Sequence, residues 1–214
     1  MSDDPFYLKQ IEVGSMGNFL YLVGDKKSGQ CLVVDPAWEV PKALRMAGQD
    51  GMKVIGGLLT HTHYDHMNGV GELIEATGGK IYVHKNEAGF LKGLKDNVTE
   101  VDSECRLSIG EFEVVFIHTP GHTPGSQCFL IQHHLFSGDT LFVGACGRCD
   151  LPGGDPRKMY ESLQVLAKLP EDVILLPGHD YGETPTSTIG HQLRTNPYYQ
   201  CHHLSDFLGL RMED

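Results

Sequence analysis

Apolar residues along this chain follow two patterns: short continuous runs, and spacing at a helical period. Each pattern predicts a different kind of secondary-structure element. Short apolar runs bounded by Gly, Pro, Asn or Asp predict strands. These runs cover residues 7–13, 19–24, 30–35, 54–59, 81–84, 106–109, 112–118, 127–132, 135–137 and 173–176. A helical period of apolar positions predicts helices over residues 40–48, 65–76, 86–94, 155–169 and 187–194.

The order of these elements predicts an α/β protein with two sheets. Strands and helices are interspersed in both halves of the chain, which favours two sheets packed face to face with the helices outside. At 214 residues the chain is long enough for one large domain, and it contains no repeat, low-complexity tract or linker. We therefore expect a single domain over residues 1–214.

Composition and charge narrow the expected function. The formal net charge is −11 and Lys and Arg do not cluster, which disfavours a nucleic-acid partner. No apolar run approaches the ~20 residues of a membrane span, and the acidic N-terminus lacks the basic and apolar regions of a signal peptide. We expect a cytoplasmic protein that acts on a small molecule and has no membrane partner.

The six cysteines do not form the dense framework that staples small secreted domains, so we expect reduced thiols. Cys146 and Cys149 stand in a C-x-x-C pattern, but the pair lies in a Gly-rich stretch and not at the start of a helix. We interpret the two residues as ordinary loop residues, with a redox or zinc role as the alternative.

Four strong metal ligands stand within six residues, directly after the apolar run 54–59. They are His61, His63, Asp65 and His66. Imidazole and carboxylate groups bind zinc, iron and manganese, and a strand end followed by a rigid loop can aim them at one point. A solvated His-rich loop would need neither the apolar strand before it nor the helical pattern after it. We therefore interpret the motif as one part of a metal site.

Further ligands are expected from other segments, and three candidates stand at strand ends. His122 lies in the turn-rich loop after strand 112–118, Asp139 follows strand 135–137, and His179 follows strand 173–176. Side chains at the same ends of neighbouring strands converge without strain. The sequence thus predicts one metal centre built from all seven residues.

With this ligand set, the chain resembles the metallo-β-lactamase superfamily, whose signature H-x-H-x-D-H it matches. The resemblance covers nearly the whole chain and implies a four-layer αββα sandwich with the metals at one edge between the sheets. In dinuclear members the first metal takes the equivalents of His61, His63 and His122. The second metal takes those of Asp65, His66 and His179, and the equivalent of Asp139 bridges both.

Within the superfamily, residues 121–126, 137–142 and 147–154 resemble the glyoxalase II group. This resemblance implies a hydrolase that cleaves a small thioester, of the hydroxyacylglutathione type, with a metal-bound hydroxide. Asp65 and Asp139 would be the catalytic residues, and two divalent ions the cofactors, with zinc expected and iron or manganese as alternatives. Only a short segment follows His179, so we expect the C-terminal helical lobe with which glyoxalase II binds glutathione to be absent.

A second interpretation stays open. Residues 178–181, 187–189 and 196–197 resemble persulfide dioxygenases, which also lack that lobe. In those enzymes one Fe(II) is held by the equivalents of His61, His122 and Asp139, a two-His-one-carboxylate arrangement. The chain could then be a mononuclear non-heme iron enzyme acting on glutathione persulfide. A lactonase and a non-catalytic metal-binding protein are less favoured, the latter because all seven ligands are present.

Three more residues are candidates for supporting roles. Arg148 could bind a substrate carboxylate or pair with Asp150 or Asp155. Tyr181, beside His179, could line the pocket or serve only in packing. Asp35 could orient the ligand loop by hydrogen bonding or begin a turn. Proteins of similar sequence are commonly dimers, so a homodimer is a further hypothesis.

Overall fold

The first half of the chain forms a six-stranded sheet in the computed structural model, which describes residues 4–103 and 105–212. Its strands lie side by side in sequence order: β1 (Phe6–Val13), β2 (Asn18–Asp25), β3 (Gln30–Val34), β4 (Lys53–Leu58), β5 (Lys80–His84) and β6 (Val98–Val101). β1, β2 and β3 are antiparallel neighbours, whereas β3 to β6 run parallel. The carboxyl ends of β3 and β4 therefore reach the same edge of the sheet.

The second half forms another six-stranded sheet. In chain order its strands are β7 (Arg106–Ile109), β8 (Phe112–His118), β9 (Gln127–Ile131), β10 (His134–Gly138), β13 (Ile174–Pro177) and β14 (Ser187–Thr188). Between β10 and β13 the chain forms a separate hairpin of β11 (Leu141–Phe142) and β12 (Ala145–Cys146). The spatial order is β14-β13-β10-β9-β8-β7. Only β10 and β13 pair in parallel within this sheet of the described chain, so both end at the same edge.

Helices cover the outer face of each sheet. They are α1 (Val40–Gln49), α2 (Tyr64–Met67), α3 (Val70–Thr77), α4 (Pro156–Leu166), α5 (Ile189–Thr195) and α6 (Leu204–Met212), with a 3₁₀ segment at Ala88–Asn97. Apolar residues of α1 and α3 pack on the first sheet, and those of α4, α5 and α6 pack on the second. No helix in the described part of the chain is long and apolar enough to cross a bilayer.

Strand β2 shows why the layers stack as they do, because both of its faces are buried. Leu20 and Leu22 belong to the cluster under the helices, whereas Phe19 and Tyr21 point into the cluster between the sheets. Tyr21 meets Phe136 of the second sheet edge-on, with ring centroids 5.2 Å apart. Full burial of each such side chain contributes ~1.5–3 kcal/mol. The layers follow the order helix, sheet, sheet, helix, so the predicted αββα sandwich is confirmed.

All ten predicted strands overlap observed strands, but the continuous helix predicted over residues 65–76 is wrong. The structure has two helices there, α2 and α3, separated by Asn68 and Gly69. Asn68 Oδ1 accepts a hydrogen bond from Trp38 N–H at 2.6 Å, and Gly69 N–H donates to Pro36 O at 3.0 Å. The loop after β3 therefore diverts the backbone between the two helices.

The remaining differences concern short elements. Residues 86–94 do not form the predicted α-helix, since the 3₁₀ segment there has non-helical backbone at Leu91 and Leu94. The helix predicted over 187–194 begins only at Ile189, because Ser187 and Thr188 pair with β13. The helix predicted to end at residue 169 ends at Leu166. Strand β6, the β11–β12 hairpin and helix α6 have no counterpart among the predicted elements.

Candidate metal centre

The seven predicted ligands meet at the edge where both sheets end. The loop after β4 carries His61, His63, Asp65 and His66, the loop after β8 carries His122, and Asp139 and His179 follow β10 and β13. Their donor atoms form three overlapping groups in which all ligand atoms lie within 4.8 Å of one another. The structure thus brings together every residue that the sequence predicts as a metal ligand.

Backbone hydrogen bonds join the two sheets beside this cluster. Gln127 N–H donates to Thr60 O at 2.9 Å, and Phe19 N–H donates to Gly178 O at 2.8 Å. A Cβ at Gly178 would lie 2.5 Å from Asp139 Oδ1, so the close approach of this strand end to Asp139 requires glycine. These contacts hold the ligand-bearing ends of both sheets at a short, defined separation.

The first ligand group consists of three imidazoles. His61 Nε2 lies 3.1 Å from His63 Nδ1, and His122 Nε2 lies 2.9 Å from the same His63 atom. His61 and His122 are buried, whereas His63 is partly exposed. Three nitrogen atoms from two loops thus face one point, an arrangement that suits a divalent transition metal.

The second ligand group consists of two imidazoles and one carboxylate. His66 Nε2 lies 3.1 Å from His179 Nε2, and Asp65 Oδ2 lies 3.5 Å and 3.4 Å from these two atoms. Asn18 Nδ2 donates to Asp65 Oδ2 at 3.0 Å and so sets the direction of the carboxylate. This group is a second complete set of three donors.

Asp139 lies between the two groups. Its Oδ2 atom is 3.5 Å from His122 Nε2 and 3.4 Å from His179 Nε2, so one oxygen faces a ligand of each group. Its Oδ1 atom is buried and has no hydrogen-bond partner among the described residues. A buried carboxylate oxygen without a donor is costly unless a cation binds it. The position fits the bridging role that the family resemblance implies.

Hydrogen bonds on the outer side fix the tautomers of four ligand imidazoles. The partners of the Nδ1 atoms of His61, His66, His122 and His179 are Thr60 Oγ1 at 3.1 Å, Asp35 Oδ2 at 3.0 Å, Arg148 O at 2.7 Å and Met16 O at 3.1 Å. Each partner accepts the Nδ1 proton, so each Nε2 lone pair points inward. The Nε2 atoms of His66 and His179 lie 3.1 Å apart, so their lone pairs would repel unless a proton or a metal cation lies between them. The donor set therefore fits bound metal.

Comparison with known protein families supports the interpretation of this cluster as a metal centre. Residues 14–179 match the sequence model of the Metallo-beta-lactamase superfamily. The chain belongs to the metallo-β-lactamase superfamily. The matched residues include all seven ligands, from His61 to His179.

Two relatives of this chain have names that state an activity. The chain is 33% identical over 195 residues to the probable polyketide biosynthesis zinc-dependent hydrolase BaeB of Bacillus velezensis, over 91% of this chain and 87% of that protein. It is 35% identical over 164 residues to a hydroxyacylglutathione hydrolase of Shewanella loihica, over 77% of this chain and 62% of that enzyme.

A solved structure extends the comparison. The crystal structure of ETHE1 from Myxococcus xanthus superposes with a TM-score of 0.89 at 29% identity, over 96% of this chain and 90% of that one. The superfamily and the names of the relatives indicate a metal-dependent hydrolase.

Asp35 orients the loop that carries His61 and His66 by hydrogen bonding, which is one of the two roles predicted for it. Its Oδ1 atom accepts from Thr60 N–H at 2.8 Å, and its Oδ2 atom accepts from Thr60 Oγ1 at 2.7 Å and from His66 Nδ1 at 3.0 Å. Because Thr60 gives its hydroxyl proton to Asp35, its oxygen is left to accept from His61 Nδ1. One buried carboxylate thus directs a ligand of each group.

Glu87 holds the two ligand loops together, and sequence analysis did not single it out. Its carboxylate is 1% exposed; one oxygen accepts from Thr62 N–H at 3.2 Å and from the Thr62 hydroxyl, and the other accepts from Gly125 N–H at 2.9 Å. A Cβ at Gly125 would lie 2.5 Å from Glu87 Cγ, so this contact requires glycine. Thr62 stands between His61 and His63, and Gly125 lies in the loop of His122.

Burial and neighbouring charges set the protonation of the ligands. Burial lowers the pKa of His61 well below its usual range, and nearby His66 adds to the effect. Burial also lowers the pKa of His63, with His122 contributing. Burial alone would raise the pKa of Asp139, but attraction to His66 outweighs it and holds that pKa well below its usual range. Burial alone would lower the pKa of His66, but attraction to Asp139 outweighs it and raises that pKa well above its usual range. Binding of a cation at this imidazole would therefore release a proton.

A cavity of about 350 Å³ opens onto the cluster and contains both predicted substrate contacts. Arg148 lines it, and its guanidinium also pairs with Asp150, Nε to Oδ1 at 2.8 Å, so the ion-pair hypothesis is confirmed. Tyr181 lines the cavity, is 57% exposed and stacks on His179 with ring centroids 4.5 Å apart. Phe142 packs edge-on against Tyr181 and completes an aromatic wall.

The C-x-x-C pair lies beside this cavity. Cys146 and Cys149 are free and buried. Burial raises the pKa of the Cys149 thiol to about 11 and that of Cys146 further. Both side chains are therefore neutral thiols at neutral pH, which fits ordinary packing residues better than nucleophiles.

Proposed function

We propose that this protein is a thioester hydrolase similar to glyoxalase II, with two divalent ions, zinc foremost, as cofactors. One observation carries the proposal: two three-donor groups stand on either side of Asp139. A single ion held by His61, His122 and Asp139 would leave the inward-facing donors of Asp65 and His179 without a cation. The proposed substrate is a small thioester of the kind named for the Shewanella enzyme.

The donor set supports zinc as the first choice and accommodates iron or manganese. Imidazole suits zinc and iron, and the carboxylates add ligands that manganese accepts. When bound, divalent ions would lower the pKa of a water molecule to about 7 and polarise the substrate carbonyl. The zinc-dependent hydrolase among the relatives favours zinc over the alternatives.

In this proposal Asp65 holds the proton of the attacking water. Its carboxylate lines the cavity and is oriented by Asn18 Nδ2. Water adds to the thioester carbonyl carbon, the C–S bond breaks, and the products are a carboxylic acid and a thiol. Because thiols ionise near pKa ~8.5, the leaving thiolate needs little help from an acid. Phe142 and Tyr181 form one wall of the cavity in which the proposed reaction takes place.

Metal analysis paired with two activity assays tests this proposal. Protein purified anaerobically without added metal is analysed for zinc, iron and manganese. It is then assayed for cleavage of a hydroxyacylglutathione and for oxygen uptake with glutathione persulfide. We expect two ions per chain, thioester cleavage and no oxygen uptake. One iron per chain with oxygen uptake and sulfite production would overturn the proposal.

A persulfide dioxygenase is the second candidate, because residues 178–181, 187–189 and 196–197 resemble that group of enzymes. A pair of ligand variants separates the two functions. In a dinuclear hydrolase, His122→Ala and His179→Ala should each lower metal content, because each removes a donor from one group. In a mononuclear iron enzyme only His122→Ala should do so, and His179→Ala should retain its iron.

A further inference from the structure

Tyr181 stands between two cavities. It lines the metal cavity of about 350 Å³ and also an adjoining cavity of about 710 Å³. The other residues of the adjoining cavity, among them Val143, Glu183, Thr184 and His191, do not line the metal cavity. A group that extends from the metal cluster towards the adjoining cavity therefore meets the Tyr181 side chain.

Aromatic packing and a tight backbone contact hold Tyr181 in this position. Its ring stacks on His179 and meets Phe142 edge-on, with ring centroids 4.5 Å and 5.4 Å away. A Cβ at Gly182 would lie 2.5 Å from Val143 Cβ, so the backbone after Tyr181 lies directly against the turn between β11 and β12. Even so, 57% of Tyr181 remains exposed. The ring is thus fixed in place and still presents surface to a ligand.

The two ends of the metal cavity differ in chemistry. At the first ligand group, His122 Nδ1 donates to Arg148 O, so Arg148 lines the cavity beside His122. At the second group, His179 Nδ1 donates to Met16 O, and Tyr181 stacks on the same imidazole. Met16 is 51% exposed and lines the cavity as well. A charged side chain therefore stands beside one ligand group, and exposed apolar side chains stand beside the other.

This difference favours one orientation of a thioester at the cluster. The glutathione part of the proposed substrate is charged, and a charged group placed against apolar side chains loses hydration without compensation. The glutathione part is therefore better accommodated at the Arg148 end. The end of Met16 and Tyr181 is left for the acyl group, and an apolar acyl group buries surface favourably there.

We propose that Tyr181 is a specificity-determining residue that contacts an apolar acyl group of the substrate and limits the length of that group. An acyl chain gains contact until it reaches the ring, and a longer chain must displace the ring from His179 or turn into solvent. This inference rests on the proposed function, because it names the substrate class of the same site: thioesters of short apolar acids.

Binding of unreactive thioethers tests the inference without turnover. The probes are S-alkylglutathiones from S-methyl to S-decyl, in which an alkyl chain stands in for the acyl group. Their affinities for the zinc-loaded protein are measured by isothermal titration calorimetry. Wild-type affinity should rise by about fourfold for each CH₂ and level off at a definite chain length. Tyr181→Ala should move this limit to longer chains, because it opens the way into the adjoining cavity.

Two control variants separate the ring from other effects. Tyr181→Phe keeps the ring and should keep the length limit. Phe90→Ala removes an aromatic side chain that is 70% exposed and lines neither cavity, and it should also keep the limit. Because Tyr181 stacks on the ligand His179, the zinc content of every variant is measured first and binding is compared at equal occupancy.

An affinity that does not change with chain length in the wild-type protein would overturn the inference, as would the same limit in Tyr181→Ala. If Tyr181→Ala does not fold by circular dichroism, Tyr181→Leu replaces it, and an unchanged limit in that variant overturns the inference. A Tyr181-dependent limit in a protein that does not cleave acylglutathiones would refute the proposed function alone. Cleavage of acylglutathiones without such a limit would refute this inference alone.

Discussion

Glu87 Oε1 accepts a hydrogen bond from Gly125 N–H at 2.9 Å, across 38 residues of sequence. The other oxygen of the same carboxylate accepts from Thr62. The loop of His61 and the loop of His122 therefore share one buried anchor. Only the first ligand group contacts this anchor through its loops, whereas Asp35 directs one ligand of each group, His61 through Thr60 and His66 directly.

Glu87→Gln should weaken metal binding at the first ligand group. The amide NH₂ would face the N–H donors of Thr62 or Gly125, so one loop would lose its anchor. Changes beyond the direct ligands typically cost ~10- to 100-fold in metal affinity. Competitive titration with a metal-binding dye measures the loss at each site. Glu111→Gln, at an exposed carboxylate paired with Lys27, is the matched control and should bind normally.

Asp139→Ala should abolish activity whichever reaction the centre performs, because the carboxylate faces both ligand groups. We expect a loss of at least about 100-fold in kcat/KM, with reduced metal content by elemental analysis. Asp180→Ala removes an exposed carboxylate next to His179 and should leave both quantities near wild type. Full activity in Asp139→Ala would show that the site lies elsewhere.

Asp35→Asn should reduce both stability and metal binding. The new amide nitrogen would oppose either Thr60 N–H or His66 Nδ1–H inside the protein, depending on which carboxylate oxygen it replaces. A buried donor left unsatisfied costs ~1–3 kcal/mol, which urea unfolding of the metal-free protein should reveal. The control is Asp172→Asn, at an exposed position. Equal unfolding curves for the two variants would contradict the assigned role of Asp35.

Asp25 should make stability depend on pH in the acid range. Burial alone would raise the pKa of Asp25, but backbone donors from Lys27, Ser28 and Glu111 outweigh it and lower that pKa from 3.8. A carboxyl with a lowered pKa in the folded state stabilises the protein above its unfolded pKa. That stability is lost as the pH falls through the folded value.

Asp25→Asn tests this dependence, because it removes the charge while keeping the shape. The variant should be less stable than wild type near pH 7, and the difference should shrink as the pH falls below ~4. Urea unfolding of both proteins across this range gives the comparison. A difference that is constant with pH would mean that the contribution of Asp25 does not depend on its charge.

Local pattern was sufficient for most strands and for the metal ligands. Strands such as β2 and β8 are short apolar runs bounded by turn residues, a pattern that depends only on neighbours a few residues away and is visible in the chain itself. His122, Asp139 and His179 were identifiable because each is a strong ligand placed just after an apolar run. The elements that were not predicted lack such signals: β11 and β12 have two residues each, and α6 has no clear amphipathic period.

The sequence by itself therefore determined the α/β class, the positions of most strands and the seven His and Asp side chains that meet in the candidate metal centre. Only the tertiary structure decided that Asp139 lies between two ligand groups, that Glu87 joins two loops, and that Tyr181 lines two cavities. Each of these depends on contacts between segments far apart in the chain. Such contacts form only when packing of the two sheets sets the distances, and no local pattern of residues encodes them.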